Sequence, residues 1–314
     1  MSEPLFLESV MHDKIWGGTR LREEFGYDIP SETTGEYWAI SAHPNGVSTI
    51  KNGKFKGQKL DYLYQAQPEL FGNPKEKVFP LLTKILDAND WLSVQVHPDD
   101  HYAKEHEGEL GKTECWYIIS ADEGAEIIYG HHANSREDLR RLIEAGNWEE
   151  LVTKVPVKAG DFFYVPSGTM HAIGKGIMVL ETQQSSDTTY RVYDFDRKDD
   201  QGHLRDLHIE QSIDVLTIGE PQNSTPAKLK LKKLESTCLV SNVYFTVYKW
   251  LVYEKTTIYQ TAPYLLISVL SGEGTLSVDN QVYNLKKGSH FILPNDVVSW
   301  EFDGQLEMIV SHSN

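Results

Sequence analysis

The sequence predicts a mainly β protein made of two jelly-roll units, with a few helices in and around the N-terminal one. Short segments rich in Val, Ile, Tyr and Phe alternate with Gly, Pro and Asn-Gly turns along much of the 314 residues. The pattern Gly-x5-Pro closes an apolar strand twice, at residues 160–166 and 288–294, which indicates a weak two-copy repeat. Almost only strand patterns follow residue 229, so this part is predicted to be all-β.

The length predicts two domains, or one large domain with an extension, at roughly 100–200 residues per domain. Residues 218–228, IGEPQNSTPAK, are rich in Pro, Ser and Asn and are predicted to form a linker. We therefore expect one domain over residues 1–220, which contains the helical segments, and a C-terminal jelly-roll domain over residues 229–314.

Helical periodicity appears in three segments. Apolar residues at 78, 79, 81, 82, 85 and 86 extend a helical pattern that starts at Leu60, with Pro80 in a first turn. Asn134 or Ser135 is predicted to cap another helix, whose first turn carries Glu137 and Asp138. The predicted helices cover residues 60–87, 134–152 and 206–216.

Strand patterns fill most of the remaining N-terminal part. Residues 91–97, WLSVQVH, alternate cleanly, so that Gln95 and His97 lie on the face opposite Val94 and Val96. In KTECWYII, Lys112, Glu114 and Trp116 are expected to share one face. The other predicted strands cover residues 155–165, 170–174, 176–183 and 189–195.

The charge balance argues against anionic macromolecular partners. Lys and Arg number 30 and Asp and Glu number 46, which gives a net charge of −16, and such a surface repels nucleic acid and anionic lipid. An anionic ligand would need local Lys or Arg. Only two cysteines occur, far apart, so no disulfide framework is expected. With no signal-like segment or 18-residue apolar run, we expect a cytoplasmic protein without a membrane, nucleic-acid or protein partner.

Four potential metal ligands lie where a jelly roll would bring them together. Gln95 and His97 project from one face of a predicted strand. Glu114 lies on the next strand, and His171 follows the first Gly-x5-Pro box. Two imidazoles, a carboxylate and an amide oxygen can hold a divalent ion, and zinc suits such a set. In the second copy Ser299 stands at the position of His171, so the C-terminal domain is predicted to lack metal ligands.

Taken singly, Gln95 and His171 are more easily explained as structural, whereas His97 and Glu114 suit a structural and a functional explanation equally. Other histidines also compete with them. His97 and His101 have the spacing of ligands on a helix, but Pro98 argues against a helix there. We interpret His101, His106, His131 and His132 as structural.

The ordered motifs resemble type I phosphomannose isomerases over essentially the whole chain. The matching segments are WGG at 16–18, GEYWAIS at 35–41, QVHP at 95–98, KTE at 112–114, PSGTMHAIG at 166–174 and LETQQSSDTTYRVYDFDR at 180–197. The box Gly-x5-Pro-x-Gly-x2-His is similar to the second motif of the cupin superfamily. Gln95-Val96-His97 stands in place of its usual His-x-His, a departure that this isomerase family shares.

The resemblance implies a cupin-type zinc enzyme that interconverts mannose 6-phosphate and fructose 6-phosphate, with residues 1–220 as its catalytic domain. It implies one Zn²⁺ per chain, held by Gln95, His97, Glu114 and His171. It also implies an essential Arg191, and it matches acidic residues of the family to Glu181 and Asp187 and a lysine to Lys112.

Several assignments stay open at this level. Lys112 and Arg191 can each bind phosphate or the developing oxyanion. Glu181, Asp187 or a water on the zinc can move the proton. Rival functions are a cupin iron oxygenase, a non-catalytic sugar-binding protein with two cupin units, and an isomerase of a related aldose phosphate.

Overall fold

The computed structural model describes residues 2–199 and 201–314, and it is mainly β as predicted. Most strands are short, and neighbouring strands pair antiparallel. In chain order the strands are β1 (Leu5–Glu8), β2 (Val10–Gly18), β3 (Thr34–Ile40), β4 (Thr49–Ile50), β5 (Leu81–Ala88), β6 (Val94–Val96), β7 (Glu114–Ala121), β8 (Glu126–His131), β9 (Val152–Pro156), β10 (Phe162–Val165), β11 (His171–Ala172), β12 (Ile177–Gln184), β13 (Tyr190–Tyr193), β14 (Ala227–Lys230), β15 (Leu234–Ser241), β16 (Phe245–Val252), β17 (Thr256–Tyr259), β18 (Leu265–Val278), β19 (Gln281–Lys286), β20 (His290–Leu293) and β21 (Ser299–Ser313).

The helices are short. Ser135 caps the N-terminus of α4 (Arg136–Glu144) by accepting a hydrogen bond from the backbone N–H of Asp138. Ser135 is one of the two residues that were predicted to cap this helix. Within the described ranges, no helix has the length and apolar run needed to cross a membrane. The helices are α1 (Arg20–Phe25), α2 (Leu60–Ala66), α3 (Asp100–His106), α4 (Arg136–Glu144), α5 (Trp148–Leu151) and α6 (Ile209–Val215), with 3-10 turns at Gly53–Phe55 and Pro68–Phe71.

The chain forms two compact units that are each discontinuous in sequence. We call residues 2–10, 38–84 and 224–314 the C-terminal unit, and residues 11–37, 85–199 and 201–223 the central unit. The C-terminal unit thus contains two N-terminal segments besides the end of the chain. The division into domains 1–220 and 229–314 stays a prediction.

The C-terminal unit contains a ten-stranded sheet. Its strands follow the order β14-β15-β16-β21-β18-β20-β1-β4, with β17 paired to β21 and β19 paired to β18. Large buried side chains such as Phe291, Trp300 and Phe302 fill its core. The prediction that strands dominate beyond residue 229 is confirmed.

The central unit places two sheets over a shared core. One sheet has five strands in the order β13-β6-β11-β8-β9, and most of a six-stranded sheet, β10-β7-β12-β5-β3-β2, also belongs to this unit. Alternation along the strands divides the five-stranded sheet into two faces. Val94 and Ala172 pack among residues of α4 and α6, whereas Ile127 and Tyr129 pack among residues of the six-stranded sheet.

The repeated Gly-x5-Pro box has the same local structure in both copies. Gly160 has φ 89° and Gly288 has φ 85°, a left-handed conformation that glycine adopts without a steric penalty. Each glycine precedes a four-residue strand, β10 or β20, that ends just before the proline. His171 and Ser299, five residues after their prolines, each begin the next strand. The two positions therefore correspond, and only the first carries a metal-ligating side chain.

The prediction of a helix through residues 60–87 is wrong in its second half. Residues 60–66 form α2, but residues 81–88 form β5, in which every residue is buried. A strand buried on both faces has a continuous apolar run, and the positions of its apolar residues do not separate it from a buried helix. Pro80 ends the preceding loop instead of opening a helix.

Asp87, on β5, is a buried carboxyl group whose surroundings favour the protonated form. Its Oδ2 accepts a 2.8 Å hydrogen bond from the backbone N–H of Arg20, while its Oδ1 has no hydrogen-bond partner in the described chain. Burial raises the pKa of Asp87 from its usual 3.8 to about 6. The folded protein therefore holds this proton more tightly than the unfolded chain, and the free energy of unfolding falls as the pH rises between these values.

Asp87→Asn is expected to remove that pH dependence. In the parent, about half of the free-energy cost of ionising Asp87 develops above pH 5. As the pH rises from 5 to 8, the free energy of unfolding of the variant should therefore increase by about 1–2 kcal/mol relative to that of the parent. Urea titrations of both proteins at the two pH values measure the difference. The same stability difference between variant and parent at both pH values would contradict the raised pKa of Asp87.

Candidate metal centre

Four residues form a row across the five-stranded sheet, on the face that is turned towards the six-stranded sheet. His171 on β11 lies opposite Tyr129 on β8 and opposite Gln95 on β6. Gln95 in turn lies opposite Arg191 on β13. Directly paired residues of antiparallel strands project to the same face. The sheet therefore aligns two predicted ligands and the predicted catalytic arginine on neighbouring strands.

His97, Glu114 and His171 form one buried cluster. Each offers a ligand atom that lies within 4.8 Å of the other two, and no other such group of His, Cys, Asp or Glu occurs in the described residues. Glu114 Oε2 lies 3.5 Å from His97 Nε2, and Glu114 Oε1 lies 3.5 Å from His171 Nε2. All three side chains are about 1% exposed. A divalent ion of zinc's size is held by such nitrogen and oxygen donors.

Both histidines have their second ring nitrogen fixed by a backbone carbonyl. His97 Nδ1 lies 2.9 Å from the carbonyl oxygen of Thr188, and His171 Nδ1 lies 2.8 Å from that of Thr169. A carbonyl only accepts, so each Nδ1 carries the proton and each Nε2 presents a lone pair to the cluster. Burial lowers the pKa of His171 to about 4, which keeps its ring neutral. This is the tautomer and charge that a metal-ligating histidine needs.

The carboxylate of Glu114 is only partly satisfied by the protein. Its Oε1 accepts a 3.1 Å hydrogen bond from Trp116 Nε1. Its Oε2 lies 3.2 Å from Lys112 Nζ, an ion pair by distance, but no partner of hydrogen-bonding geometry occurs for it in the described part of the chain. Oε2 therefore keeps an unused acceptor position that faces the ring nitrogen of His97. The residues present therefore fit a divalent ion.

Gln95 borders the cluster through its amide. Its Nε2 lies 3.3 Å from His171 Nε2, and its Oε1 accepts a 3.2 Å hydrogen bond from Ser93 Oγ. The two ends of an amide have nearly the same shape. Half a turn of the amide would present the oxygen to the cluster and the NH₂ to Ser93. The structure brings Gln95 to the centre, and its role as a ligand stays a prediction.

Lys112 is a buried cation at the centre, with 4% of its surface exposed. Its Nζ lies 3.1 Å from His97 Nε2 and 3.2 Å from Glu114 Oε2. The expectation that a lysine of the KTE segment faces the ligands agrees with this geometry. Lys112 thus competes for the same two donor atoms that would hold a metal.

Glu181 and Trp116 lie next to the cluster. On β12 and β7 the two residues are directly opposite one another. Trp116 Nε1 donates both to Glu114 Oε1, at 3.1 Å, and to Glu181 Oε2, at 3.0 Å. Sequence reasoning placed Trp116 on the face of Lys112 and Glu114 but gave it no role.

Arg191 lies beyond Gln95 in the row across the sheet and makes few polar contacts. Its Nη1 donates a 2.8 Å hydrogen bond to the backbone carbonyl of Asp206, and its Nε is buried without a hydrogen-bond partner among the described residues. Burial, followed by the charge of Arg205, lowers the pKa of the Arg191 guanidinium. Asp194, three residues after Arg191, pairs instead with Arg197 and Arg205.

Asp187 lies in the segment that joins β12 to β13, and this segment is anchored by Glu109. Glu109 Oε2 accepts hydrogen bonds from Ser186 Oγ and Thr188 Oγ1, both 3.2 Å long, and from the backbone N–H of Asp187. Thr188 also supplies the carbonyl that orients His97. Sequence reasoning missed Glu109 and Thr188. Thr188 lies 91 residues after His97, and no local pattern links either residue to this ligand.

Comparisons with known proteins identify relatives over the whole chain. The pattern of the catalytic domain of type I phosphomannose isomerase matches residues 5–119, and that of the cupin domain of mannose-6-phosphate isomerase matches residues 235–313. The chain is 74% identical to mannose-6-phosphate isomerase of Streptococcus mutans, over 100% of this chain and 99% of that protein. It is 53% identical to ManA of Bacillus subtilis, over 99% of each chain.

A solved structure shares the fold over nearly the full length. The mannose 6-phosphate isomerase from Bacillus subtilis superposes with a TM-score of 0.97 at 48% identity, covering 99% of this chain and 100% of that chain. A phosphomannose isomerase variant from Salmonella typhimurium superposes with a TM-score of 0.80 at 16% identity, and this likeness concerns the fold alone. Because a relative at 74% identity spans the whole chain and the fold matches a solved isomerase, the chain belongs to the type I phosphomannose (mannose-6-phosphate) isomerase family.

Proposed function

We propose that this chain is a zinc-dependent isomerase that interconverts mannose 6-phosphate and fructose 6-phosphate through an enediolate. The observation that carries the proposal is the buried cluster in which His97 and His171 both present Nε2 to the carboxylate of Glu114. The names of the full-length relatives support the substrate, since they are mannose-6-phosphate isomerases. Nitrogen and oxygen donors in this ratio favour zinc, one ion per chain.

Gln95, His97, Glu114 and His171 would hold the zinc in this proposal. When bound, zinc supplies a Lewis acid that lowers the energy of negative charge on the sugar oxygens at C1 and C2. The protein fixes the donors through Thr188, Thr169 and Trp116, so that little reorganisation is needed.

Lys112 and Arg191 are the proposed substrate-binding cations. The protein carries a net charge of −16, so a sugar phosphate needs concentrated local positive charge. The guanidinium of Arg191 can bind phosphate or an oxyanion with two parallel hydrogen bonds. It has capacity for this because, among described residues, it forms no ion pair and its only side-chain hydrogen bond is to the Asp206 carbonyl.

The isomerisation moves one proton from C2 to C1, while the hydroxyl proton at O2 is transferred to O1. We propose that Glu181 or Asp187 accepts the carbon-bound proton and returns it to the neighbouring carbon. Glu181 is supported by its hydrogen bond to Trp116, which also contacts the ligand Glu114. Asp187 is supported by its place beside Thr188, the residue that orients His97.

Lys112→Met is expected to separate metal binding from catalysis. Lys112 Nζ contacts both His97 Nε2 and Glu114 Oε2, so removal of its charge should make zinc bind about tenfold or more tightly. The same change should lower kcat by about 100-fold, because a cation near the developing oxyanion is lost. Chelator competition and steady-state kinetics measure the two effects. Weaker zinc binding would mean that Lys112 serves to position Glu114.

Substrate specificity is tested by following four compounds with the purified protein. We expect ketose formation from mannose 6-phosphate, with much lower kcat/KM for glucose 6-phosphate, ribose 5-phosphate and unphosphorylated mannose. A higher kcat/KM for another aldose phosphate would make that compound the substrate. Binding of mannose 6-phosphate without turnover in the zinc-loaded protein would instead favour a sugar-binding role, and a requirement for dioxygen would favour an iron oxygenase.

The cysteines support an intracellular setting. Cys115 is buried and Cys238 is partly buried, and both are free thiols. Free thiols persist in reducing compartments, and we propose that the enzyme acts in the cytoplasm.

A further inference from the structure

Trp116 connects two carboxylates of the metal centre through one N–H group. The side chain is 1% exposed and lies on β7 two residues after Glu114, so both project to the same face. Its Nε1 lies 3.1 Å from Glu114 Oε1 and 3.0 Å from Glu181 Oε2. Its ring meets the edge of His171 at a centroid distance of 5.3 Å and an angle of 72°. One indole thus touches two candidate ligands and one candidate acid–base residue.

We propose that Trp116 is a positioning residue that holds Glu114 in its metal-binding orientation and keeps Glu181 at a fixed place beside it. The part that concerns Glu181 rests on the proposed function, whereas the part that concerns Glu114 requires only metal binding.

The hydrogen-bond donors around the Glu114 carboxylate support this role. Among the described residues, Trp116 is the one hydrogen-bond donor to this carboxylate, and it binds Oε1. Oε2 therefore remains directed to His97 and Lys112. Without the indole N–H, rotation of the carboxylate would cost less, and Oε1 would lose its buried partner. Outer partners of this kind commonly change metal affinity or activity by about 10–100-fold.

The same N–H also offsets a repulsion. Glu114 and Glu181 are both buried, and each accepts from Trp116 Nε1. Two carboxylates this close repel one another when ionised. An indole can only donate, so it cannot exchange roles with either carboxylate. A phenyl ring at this position would keep an aromatic side chain there but leave the two acids without their shared donor.

Trp116→Phe is the direct test, and Trp300→Phe is its matched control. Trp300 is 2% exposed and lies in the C-terminal unit, and its buried Nε1 has no hydrogen-bond partner among the described residues. Both changes remove the same atoms from a buried core. If Trp116→Phe does not fold, benzothienylalanine at residue 116 keeps the bicyclic shape and lacks only the N–H.

Zinc affinity is measured by competition with a chromogenic chelator, and ligand geometry by the visible absorption of the Co²⁺-substituted protein. We expect Trp116→Phe to bind zinc about tenfold or more weakly and to alter the Co²⁺ bands, while Trp300→Phe changes neither. We also expect kcat to fall about tenfold or more with KM for mannose 6-phosphate nearly unchanged.

A Trp116→Phe protein with the zinc affinity and Co²⁺ spectrum of the parent would overturn the proposal. A rise in KM with unchanged kcat would overturn the part that concerns Glu181. If the parent protein itself does not isomerise mannose 6-phosphate, the proposed function fails. The zinc and cobalt measurements would then still decide whether Trp116 positions Glu114.

Discussion

His171→Ala is expected to lose metal binding and isomerisation together. The variant lacks one of the two Nε2 donors of the cluster, and its neighbours Glu114 and Gln95 lose a contact at 3.5 and 3.3 Å. We expect zinc affinity to fall by at least about 100-fold, since even outer partners of a metal change it by 10–100-fold. Several kcal/mol of oxyanion stabilisation would go with the metal, so kcat should fall by about 1000-fold or more.

A buried histidine outside the cluster provides the control for this result. His131, on β8, is 6% exposed, and its Nε2 lies 3.0 Å from the carbonyl oxygen of Thr217. His131→Gln should change stability without changing zinc content, because its ring does not reach the donor cluster. Metal content by elemental analysis and turnover are measured on both variants. Full zinc occupancy in His171→Ala would rule out His171 as a ligand.

Arg191→Ala is expected to retain zinc and lose about 100- to 1000-fold in catalytic efficiency. The residue lies on the edge strand β13, one strand beyond Gln95 and on the same face of the five-stranded sheet. Its Nε has no hydrogen-bond partner within residues 2–199 and 201–314, and a phosphate or enediolate oxygen would supply one. The loss therefore concerns substrate and not metal.

The division of this loss between KM and kcat assigns the role of Arg191. A higher KM with unchanged kcat means that it binds phosphate equally in ground and transition states, and a lower kcat means that it stabilises the oxyanion. Arg191→Lys keeps the charge but not the planar fork, and it should recover only part of the activity. Arg140→Ala, which removes an exposed arginine paired with Glu210, serves as the control. Near-parental kinetics of Arg191→Ala would remove the residue from the mechanism.

Local alternation accounts for what the sequence predicted correctly at the site. Gln95 lies on β6, where buried and half-buried residues alternate, and His97 directly follows the end of this strand. His171 follows a box whose glycine has φ 89°. These features depend on neighbours within about ten residues. The order of these motifs along the chain is what made the resemblance to the isomerase family specific. The structure brings His97, Glu114 and His171 into one buried group.

Long-range contacts account for what was missed. Thr188 orients His97 across 91 residues, and Trp116 contacts Glu181 across 65. Such pairs follow from sheet register, which a single sequence does not specify. The error at residues 81–88 has a related cause, because burial on both faces of β5 removes the alternation that marks a strand.

Metal removal and restoration test the central claim most directly. The purified protein is assayed for conversion of mannose 6-phosphate to fructose 6-phosphate before chelation, after chelation and after zinc is added back, with metal content measured at each stage. We predict that activity falls with the loss of one zinc per chain and returns with it, and that His171→Ala recovers neither. Full activity in protein shown to be free of metal would contradict the account.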